Sequence, residues 1–326
     1  MSVIVTGSLA FDNIMRFPGY FKDHILPEKI HQINLSFLVS SLEEKRGGTG
    51  GNIAYNAALL GLQPRLFLAA GRNGESYLAE LAAVGVDTSA VAMVDDVCAS
   101  CYITTDNADN QITGFYPGAM NRSGERPLSE AVTPDVELAI ISADSLAAMQ
   151  RYPGECRELG IPYIYDLGMG LPILSREDLI DGLTGAHVLI GNDYEIALIE
   201  QKTGLDRAAL RERVKIIITT LGEHGAQIEA DGDIIRIPPA PAREVVDPTG
   251  AGDAFRGGLI LGLTRGFPLE IAGRLAAQAA TYAVEGLGTQ VHRYTPAEFA
   301  ARFNETYPDQ APLGADLRPT AVSVGD

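Results

Sequence analysis

The sequence is poor in cysteine. It has three, Cys98, Cys101 and Cys156, and this odd number does not suggest a framework of disulfide bonds. Cys98 and Cys101 have the C-x-x-C spacing, but no second Cys or His pair stands at the spacing of a zinc site. We therefore interpret both as ordinary thiols in a strand.

Positive charge is also scarce. The chain has 25 Lys and Arg residues against 42 Asp and Glu residues, which gives a formal net charge of −17. A surface this acidic repels nucleic acids and anionic membranes. We expect neither as a partner and predict a small-molecule ligand, whose negative charges would be held locally by amides, a metal or a few basic side chains.

Long hydrophobic runs and a Walker motif are missing as well. No stretch approaches 18 apolar residues, and residues 1–7 have no basic region typical of a signal peptide. We therefore expect a cytoplasmic protein. No G-x-x-x-x-G-K-[ST] motif occurs, which excludes a Walker-type phosphate site.

What the sequence does contain is alternation of strand and helix patterns. Apolar strands are predicted at residues 2–7, 65–69, 136–142, 162–167, 187–191 and 215–220, and helices at 75–83, 269–286 and 296–307. This order is typical of an α/β fold. No low-complexity linker divides the chain, so we predict one domain over residues 1–326. Its end, residues 309–326, is rich in Pro, Gly and polar residues, and we expect it to be poorly ordered.

Two segments interrupt the alternation and predict a lid. Residues 14–46 lack helical periodicity and include a strand-like piece at 33–39, whereas 97–118 contain short strand patterns at 100–105 and 111–116. Together they would form a small β-sheet over the main layer. Exposed strand edges on such a lid favour a homodimer.

A glycine-rich turn near the end of the chain carries the strongest chemical signal. Val245 and Val246 predict a strand that runs into Asp247-Pro248-Thr249-Gly250-Ala251-Gly252-Asp253, followed by helical spacing. Amides beside Gly250 and Gly252 could close on a phosphate at the helix N-terminus. Asp253 would then accept a proton from a substrate hydroxyl, or it would simply cap the helix.

A second glycine-rich turn, Gly47-Gly48-Thr49-Gly50-Gly51-Asn52, also leads into a helix. The Asn52 side chain offers a donor and an acceptor, as the neighbouring hydroxyls of a sugar require. Ser8 and Asp12 follow the first strand, where ligands sit in an open parallel sheet. The alternatives are a flexible connector for the glycines and a role in shaping the turn for Asp12.

Asn192 and Glu195 open the helix that follows the strand at 187–191. Their spacing is that of a capping box, which is one interpretation. The other is that they hold Mg²⁺ or its waters near phosphate groups.

Taken in order, these motifs resemble those of the ribokinase-like (PfkB-type) family of sugar and nucleoside kinases. The resemblance spans nearly the whole chain and includes Thr220-Leu221-Gly222 to Gly225. It implies a doubly wound, mostly parallel sheet with a small β-sheet lid, ATP as phosphate donor and Mg²⁺. It implies Asp253 as base with an anion hole at Gly250, Ala251 and Gly252. Ribose would contact Asp12, Gly48 and Asn52, and the base would contact Ser8, Ser36 and Phe115. Nucleotide and metal would contact Asn192, Glu195, Thr220, Gly222 and Gly225.

Within this family the chain most resembles bacterial adenosine kinases, through residues 6–12, 15–19, 35–39 and 115–120. It departs from them at Leu167-Gly168-Met169-Gly170, where those enzymes carry a polar stretch against the base. The resemblance implies conversion of adenosine to AMP. Two alternatives stay open: a kinase of the same family for another nucleoside or a sugar, and a catalytically silent binding module.

Overall fold

The computed structural model describes residues 2–25 and 34–319, and its centre is an eight-stranded sheet. In spatial order the strands are β14 (Asp233–Ile237), β13 (Ala226–Ala230), β12 (Ile216–Thr220), β11 (Val188–Asn192), β10 (Tyr163–Asp166), β9 (Val136–Ile141), β1 (Ser2–Thr6) and β4 (Gln63–Leu66). All neighbours pair in parallel from β12 to β4, whereas the β12, β13 and β14 pairings are antiparallel. This confirms the predicted mixed, mostly parallel sheet.

Helices cover both faces of the sheet. In the described residues they are α1 (Thr49–Leu59), α2 (Glu75–Ala83), α3 (Leu146–Leu159), α4 (Arg176–Leu183), α5 (Asp193–Thr203), α6 (Arg207–Arg211), α7 (Ala251–Thr264), α8 (Leu269–Val284) and α9 (Pro296–Thr306). Val3 and Val5 of β1 belong to the core under α1, α7 and α8, whereas Ile4 belongs to the core under α3 and α4. Successive strand residues therefore bury opposite faces, as a doubly wound sheet requires.

A second sheet stands apart from the main one. It consists of β3 (Ser41–Gly47), β2 (Ala10–Arg16), β7 (Ala99–Thr105) and β8 (Gln111–Tyr116), in that spatial order. The strands come from the two segments predicted to form a lid, except that β2 begins at Ala10. Residues 34–39 are in no strand, so the strand expected at 33–39 is wrong for its described part. Residues 26–33 lie outside the described residues. A short parallel pair, β5 (Ala69–Gly71) and β6 (Ala92–Val94), lies outside both sheets.

Helices α7 and α8 approach each other closely. A Cβ at Gly258 would come within 2.6 Å of the Ala276 Cα, and one at Gly262 within 2.4 Å of the Ala272 Cβ. Only glycine fits at these two positions, because a larger side chain would push the helices apart. This contact holds α7, and thus the turn at its N-terminus, firmly on the sheet.

The end of the chain packs against the core as far as the structure describes it. Leu313 and Leu317 are buried, and the Asn304 side chain forms hydrogen bonds of 2.8 and 3.0 Å with the Leu313 backbone. The poor order expected for 309–326 stays a prediction, and residues 320–326 lie outside the described residues. In the part of the chain that is described, no helix is long and apolar enough to cross a membrane.

Candidate active site

The glycine-rich turn before α7 is anchored by Asp247. Its carboxylate accepts hydrogen bonds from the Thr249 N–H at 2.9 Å and the Gly288 N–H at 3.0 Å. Gly250 caps α7 in a left-handed conformation, φ 83°, which a glycine adopts without strain. The first-turn amides of α7 have no partner inside the helix and form an anion-binding end. Ala251 N–H already contacts the Pro248 carbonyl oxygen at 3.2 Å.

The approach to this turn differs from the prediction. Residues 241–248 are irregular rather than a strand. Val245 and Val246 are exposed, and the Val246 N–H donates to the Val284 carbonyl oxygen at the end of α8. Two β-branched residues did not suffice to specify a strand, because no neighbouring strand pairs with them.

Asp253 lies in the first turn of α7 and faces α1. Its Oδ2 accepts a hydrogen bond of 2.8 Å from Asn52 Nδ2. The pKa of the Asp253 carboxyl is raised to about 6, chiefly because the surrounding protein excludes water, while Arg256 and Asn52 act against the rise and Asp166 adds to it. A carboxylate with this pKa is charged at neutral pH and basic enough to take a proton from a hydroxyl group.

A buried ion pair supports the same end of α7. Arg256 donates to both carboxylate oxygens of Asp166, from Nε at 2.6 Å and from Nη2 at 2.5 Å, and its Nη1 donates to the Gly252 carbonyl oxygen at 2.9 Å. The Ser142 hydroxyl donates to the same carboxylate at 2.9 Å. Burial disfavours the charge on Arg256, but Asp166 outweighs this and raises the Arg256 pKa. The pair ties α7 to the end of β10.

The second glycine-rich turn, which contains Gly48 and Asn52 of the predicted ribose site, packs against Ser8 of the predicted base pocket. Ser8 Oγ accepts from the Thr49 N–H at 3.2 Å, and the Ser8 carbonyl oxygen accepts from the Gly50 N–H at 3.0 Å. Gly48 has φ 88°, and a Cβ there would lie 2.5 Å from the Ser8 carbonyl oxygen. This close approach explains why the turn needs glycine.

Asp12 lies on β2 at the edge of this cluster. Burial raises the pKa of its carboxyl, and a Cβ on Gly47 would lie 2.5 Å from Asp12 Oδ2. Asp12 therefore contacts the first residue of the second glycine-rich turn. Ser8, Asp12, Gly48 and Asn52 are thus neighbours in the structure, although they come from different elements.

Two predicted base-binding residues, Ser36 and Phe115, have exposed side chains. Ser36 is exposed in the irregular segment before β3, and Phe115 is 53% exposed on β8. No hydrogen bond described here joins either of them to the cluster around Asp253. Met169, which follows β10, is 90% exposed.

Asn192 and Glu195 form the capping box that their spacing predicts. The Glu195 N–H donates to Asn192 Oδ1 and the Asn192 N–H donates to Glu195 Oε2, both at 2.8 Å. Asn192 pairs with Thr220 across β11 and β12, and the short helix Gly222–His224 and Gly225 follow directly. The residues predicted for nucleotide and metal therefore lie together at the carboxyl edge of the sheet. Among residues 2–25 and 34–319, no cluster of three His, Cys, Asp or Glu side chains could hold a metal.

Several residues around the cleft escaped the sequence interpretation. Asp144, which follows β9, accepts from the Gly7 N–H at 3.2 Å and the Ser145 N–H at 2.7 Å. Burial raises its pKa to about 7 despite these donors. Asp166, Arg256 and Gln290 were missed as well. A charged residue within the apolar run of α7 was the available signal for Arg256.

Comparison with known proteins shows the family of the chain. Residues 19–295 match the model of the pfkB family carbohydrate kinases. The chain belongs to this family. The pfkB match contains every site residue discussed above except Ser8 and Asp12 with their neighbour Gly7.

Several nucleoside kinases are similar to this chain over almost their whole length. A nucleoside kinase of Methanothermobacter thermautotrophicus is 32% identical over 95% of this chain and 98% of that protein. The structure of Burkholderia thailandensis nucleoside kinase in complex with inosine has a TM-score of 0.85 and 39% identity, covering 96% of this chain and 100% of that one. Its complex with ADP-inosine has a TM-score of 0.83 and 40% identity, covering 98% and 99%.

The archaeal nucleoside kinase of Methanocaldococcus jannaschii, a member of the ribokinase family, is also similar, with a TM-score of 0.81 and 25% identity over 93% of this chain and 98% of that one. These similar proteins are nucleoside kinases rather than adenosine kinases specifically. The broad resemblance is therefore confirmed, whereas the narrower one to bacterial adenosine kinases stays a prediction.

Proposed function

We propose that this protein transfers the γ-phosphoryl group of ATP to the 5′-hydroxyl group of a nucleoside. The observation that carries the proposal is Asp253, a carboxylate with a pKa of about 6 in the first turn of α7, held by Asn52 from the second glycine-rich turn. A proton acceptor thus stands beside an anion-binding helix end. That combination suits phosphoryl transfer to a hydroxyl group.

Residues of α7 and of the turn before it would carry out the transfer. Asp253 takes the proton of the 5′-hydroxyl as its oxygen attacks the γ-phosphorus, and the amides of Gly250 to Gly252 stabilise the charge on the transferring group. The Arg256 guanidinium, fixed by Asp166, adds positive charge beneath the same site. Because these groups are held in place before the reaction, little reorganisation is needed.

The ATP phosphates would lie between the two helix ends of α5 and α7, with Asn192, Thr220, Gly222 and Gly225 along the nucleotide. Glu195 is the carboxylate that would hold Mg²⁺ or its waters there. One carboxylate fits this ion, since Mg²⁺ in such sites takes most of its ligands from phosphates and water. When bound, Mg²⁺ neutralises phosphate charge.

The proposal also specifies which nucleosides accept the phosphoryl group. Asp12, Gly48 and Asn52 would bind ribose hydroxyls, and Ser8, Ser36 and Phe115 would lie toward the base. The segment Leu167-Gly168-Met169-Gly170 has no amide side chain to read the edge of a purine. A site without such hydrogen bonds discriminates weakly between bases. We therefore propose purine nucleosides in general, adenosine and inosine included, and the inosine complexes of the Burkholderia enzyme support this breadth.

A panel of acceptors tests the proposal. ADP release would be measured for adenosine, inosine, guanosine, 2′-deoxyadenosine, ribose and fructose 6-phosphate, and compared as kcat/KM. We expect the purine ribonucleosides to fall within about 100-fold of one another, because few base hydrogen bonds separate them. 2′-Deoxyadenosine should be poorer than adenosine by at least about tenfold, since a buried ribose partner is left unpaired.

A free or phosphorylated sugar that exceeds every nucleoside would contradict the nucleoside assignment. ADP release with none of the acceptors would favour the silent binding module. Glucose serves as the control for ATP hydrolysis without transfer, because it lacks both the base and the ribose ring.

A further inference from the structure

Gln290 has no direct part in the proposed reaction, but its side chain forms hydrogen bonds with Asn52, which in turn contacts Asp253. It lies in the loop between α8 and α9, and its Nε2 donates to Asn52 Oδ1 at 2.8 Å. The same nitrogen also donates to the Tyr77 hydroxyl. Tyr77 is fully buried in α2, and its hydroxyl donates to the Gly47 carbonyl oxygen at 3.0 Å.

These hydrogen bonds form a chain in which each group can only donate or only accept at a given contact. A side-chain amide has one acceptor oxygen and one donor nitrogen. The Asn52 oxygen is taken by Gln290, so its nitrogen must point the other way, where Asp253 Oδ2 accepts from it at 2.8 Å. The Gln290 amide is oriented in turn, because Tyr77 donates to Gly47 and must accept from Gln290. Every donor in the chain from the Gly47 carbonyl oxygen to the Asp253 carboxylate therefore has an acceptor.

The loop that carries Gln290 is itself held on both sides of the cleft. The Thr289 hydroxyl donates to the Arg46 carbonyl oxygen of β3 at 2.9 Å, and the Gly288 N–H donates to Asp247 at 3.0 Å. His292 Nε2 lies 2.8 Å from Asn56 Oδ1 in α1. Gln290 thus has a fixed position relative to both α1 and the turn before α7.

We infer that Gln290 is a positioning residue for Asp253, which keeps the Asn52 N–H directed at the carboxylate. This rests on the proposed function only in assigning Asp253 as the base. Without the Gln290 donor, the Asn52 amide is free to turn over and to present its oxygen to the carboxylate. Two facing oxygens repel, which disfavours the charged form of Asp253.

The inference predicts a change in the basicity of Asp253. The other titratable groups that act on this carboxyl are Arg256 on α7 and Asp166 on β10, and Asp253 and Tyr77 of α2 affect each other. Replacing Gln290 leaves Arg256 and Asp166 in place and removes one hydrogen bond from Tyr77, whose raised pKa keeps its hydroxyl uncharged. A rise in the pKa of Asp253 would therefore report on the Asn52 hydrogen bond.

The test compares Gln290→Met, which removes the donor while keeping the length of the side chain, with Gln290→Glu, which puts an acceptor in its place. Gln201→Glu is the matched control, since Gln201 is exposed near the end of α5. The pKa of Asp253 would be measured by NMR on protein with ¹³C-labelled aspartate carboxyl groups, and Asp253→Asn assigns the signal. Thermal melting shows that each variant is folded.

We expect Gln290→Met to raise the pKa of Asp253 by about 0.5 to 1, and Gln290→Glu to raise it further, because losing a donor and gaining a nearby charge both disfavour the carboxylate. The acid limb of kcat/KM should move to higher pH by the same amount, with the KM for ATP within about twofold of wild type. Gln201→Glu should leave the pKa unchanged. In an Asn52→Ala background, Gln290→Met should have no further effect.

Folded Gln290 variants with an unchanged Asp253 pKa would overturn the inference, as would an equal effect of Gln290→Met in the Asn52→Ala background. The NMR measurement needs no substrate. If the wild-type protein phosphorylates no nucleoside but the pKa still rises, the proposed function fails and the positioning role of Gln290 stands.

Discussion

Asp166 and Arg256 show how much of the site depends on pairs that are distant in sequence. They are 90 residues apart and both are buried, with side chains 3% and 8% exposed. Removing one partner of such a pair leaves an uncompensated charge in the protein interior, which costs more than the pair itself contributes. A substitution of either residue should therefore destabilise the protein beneath the anion-binding turn.

Asp166→Asn should lower the free energy of unfolding by about 3 kcal/mol, because Arg256 would keep its buried charge without a counter-ion. Arg256→Met should have an effect of similar size, because the buried carboxylate of Asp166 would lose its counter-ion. Urea denaturation followed by circular dichroism measures both. Replacing the two residues together, as Asp166→Asn with Arg256→Met, should cost less than the sum of the single changes, and simple additivity would contradict the proposed coupling.

Sequence reasoning found the glycines and Asp253, because turn residues and a helix start leave local signals. It did not find Arg256, Asp166 or Gln290. Their importance lies in which residue they face, and the hydrogen bond of Gln290 spans 238 positions. Asn52 was predicted to bind ribose, and the structure adds that its N–H is directed at Asp253.

The helices and strands could be predicted well where their patterns were long. Helix α2 and strand β8 have the predicted bounds, and α8 and α9 differ from theirs only at the C-terminal end. Errors fell on short β-branched or apolar pieces, at Val245-Val246 and at 34–39. Such pieces become strands only when a partner strand is available, which a local pattern does not reveal.

The small sheet is placed to close over the cleft. Strand β2 continues from the turn after β1, and β3 leads directly into the second glycine-rich turn. Asp12 and Gly48, which we propose bind ribose, therefore lie at the junction of the two sheets. A nucleoside bound there would contact both, which favours a closed position and excludes water from the γ-phosphate.

Hydrogen exchange with mass spectrometry tests this closure. Adding inosine should slow exchange at least about threefold in β7, β8 and the described lid residues 14–25 and 34–46, because closure protects their amides. Peptides from α4, on the far face of the sheet, serve as the control and should not change. Unaltered exchange in the small sheet under saturating inosine would indicate a rigid, open site.

For the whole chain, composition and the alternation of elements predicted the α/β class, and the resemblance implied the doubly wound sheet that the structure shows. The burial of both faces of β1, β9, β10, β11 and β12 explains why these strands read as continuous apolar runs. The net charge of −17 was less informative, since it argued against nucleic acids and anionic membranes as partners but did not identify the ligand. The possible homodimer stays a prediction.

Activity of the whole protein should rise with pH through the acid range. A general base acts when it is deprotonated, so transfer should increase as Asp253 loses its proton near its pKa of about 6. Asp144, whose pKa is about 7, takes no part in the proposed proton transfer. Its titration should not appear in the rate profile.

Single-turnover transfer from γ-labelled ATP to inosine, measured from pH 5 to 8 for the wild type and Asp253→Asn, shows whether Asp253 is the catalytic base. The wild type should place the label on the 5′-oxygen, with a rate that rises about tenfold per pH unit below the pKa of Asp253 and then levels off. Asp253→Asn should bind ATP normally, react about 10²–10⁴-fold more slowly and lose this titration. A loss of less than about tenfold, or an unchanged acid limb, would contradict Asp253 as the catalytic base.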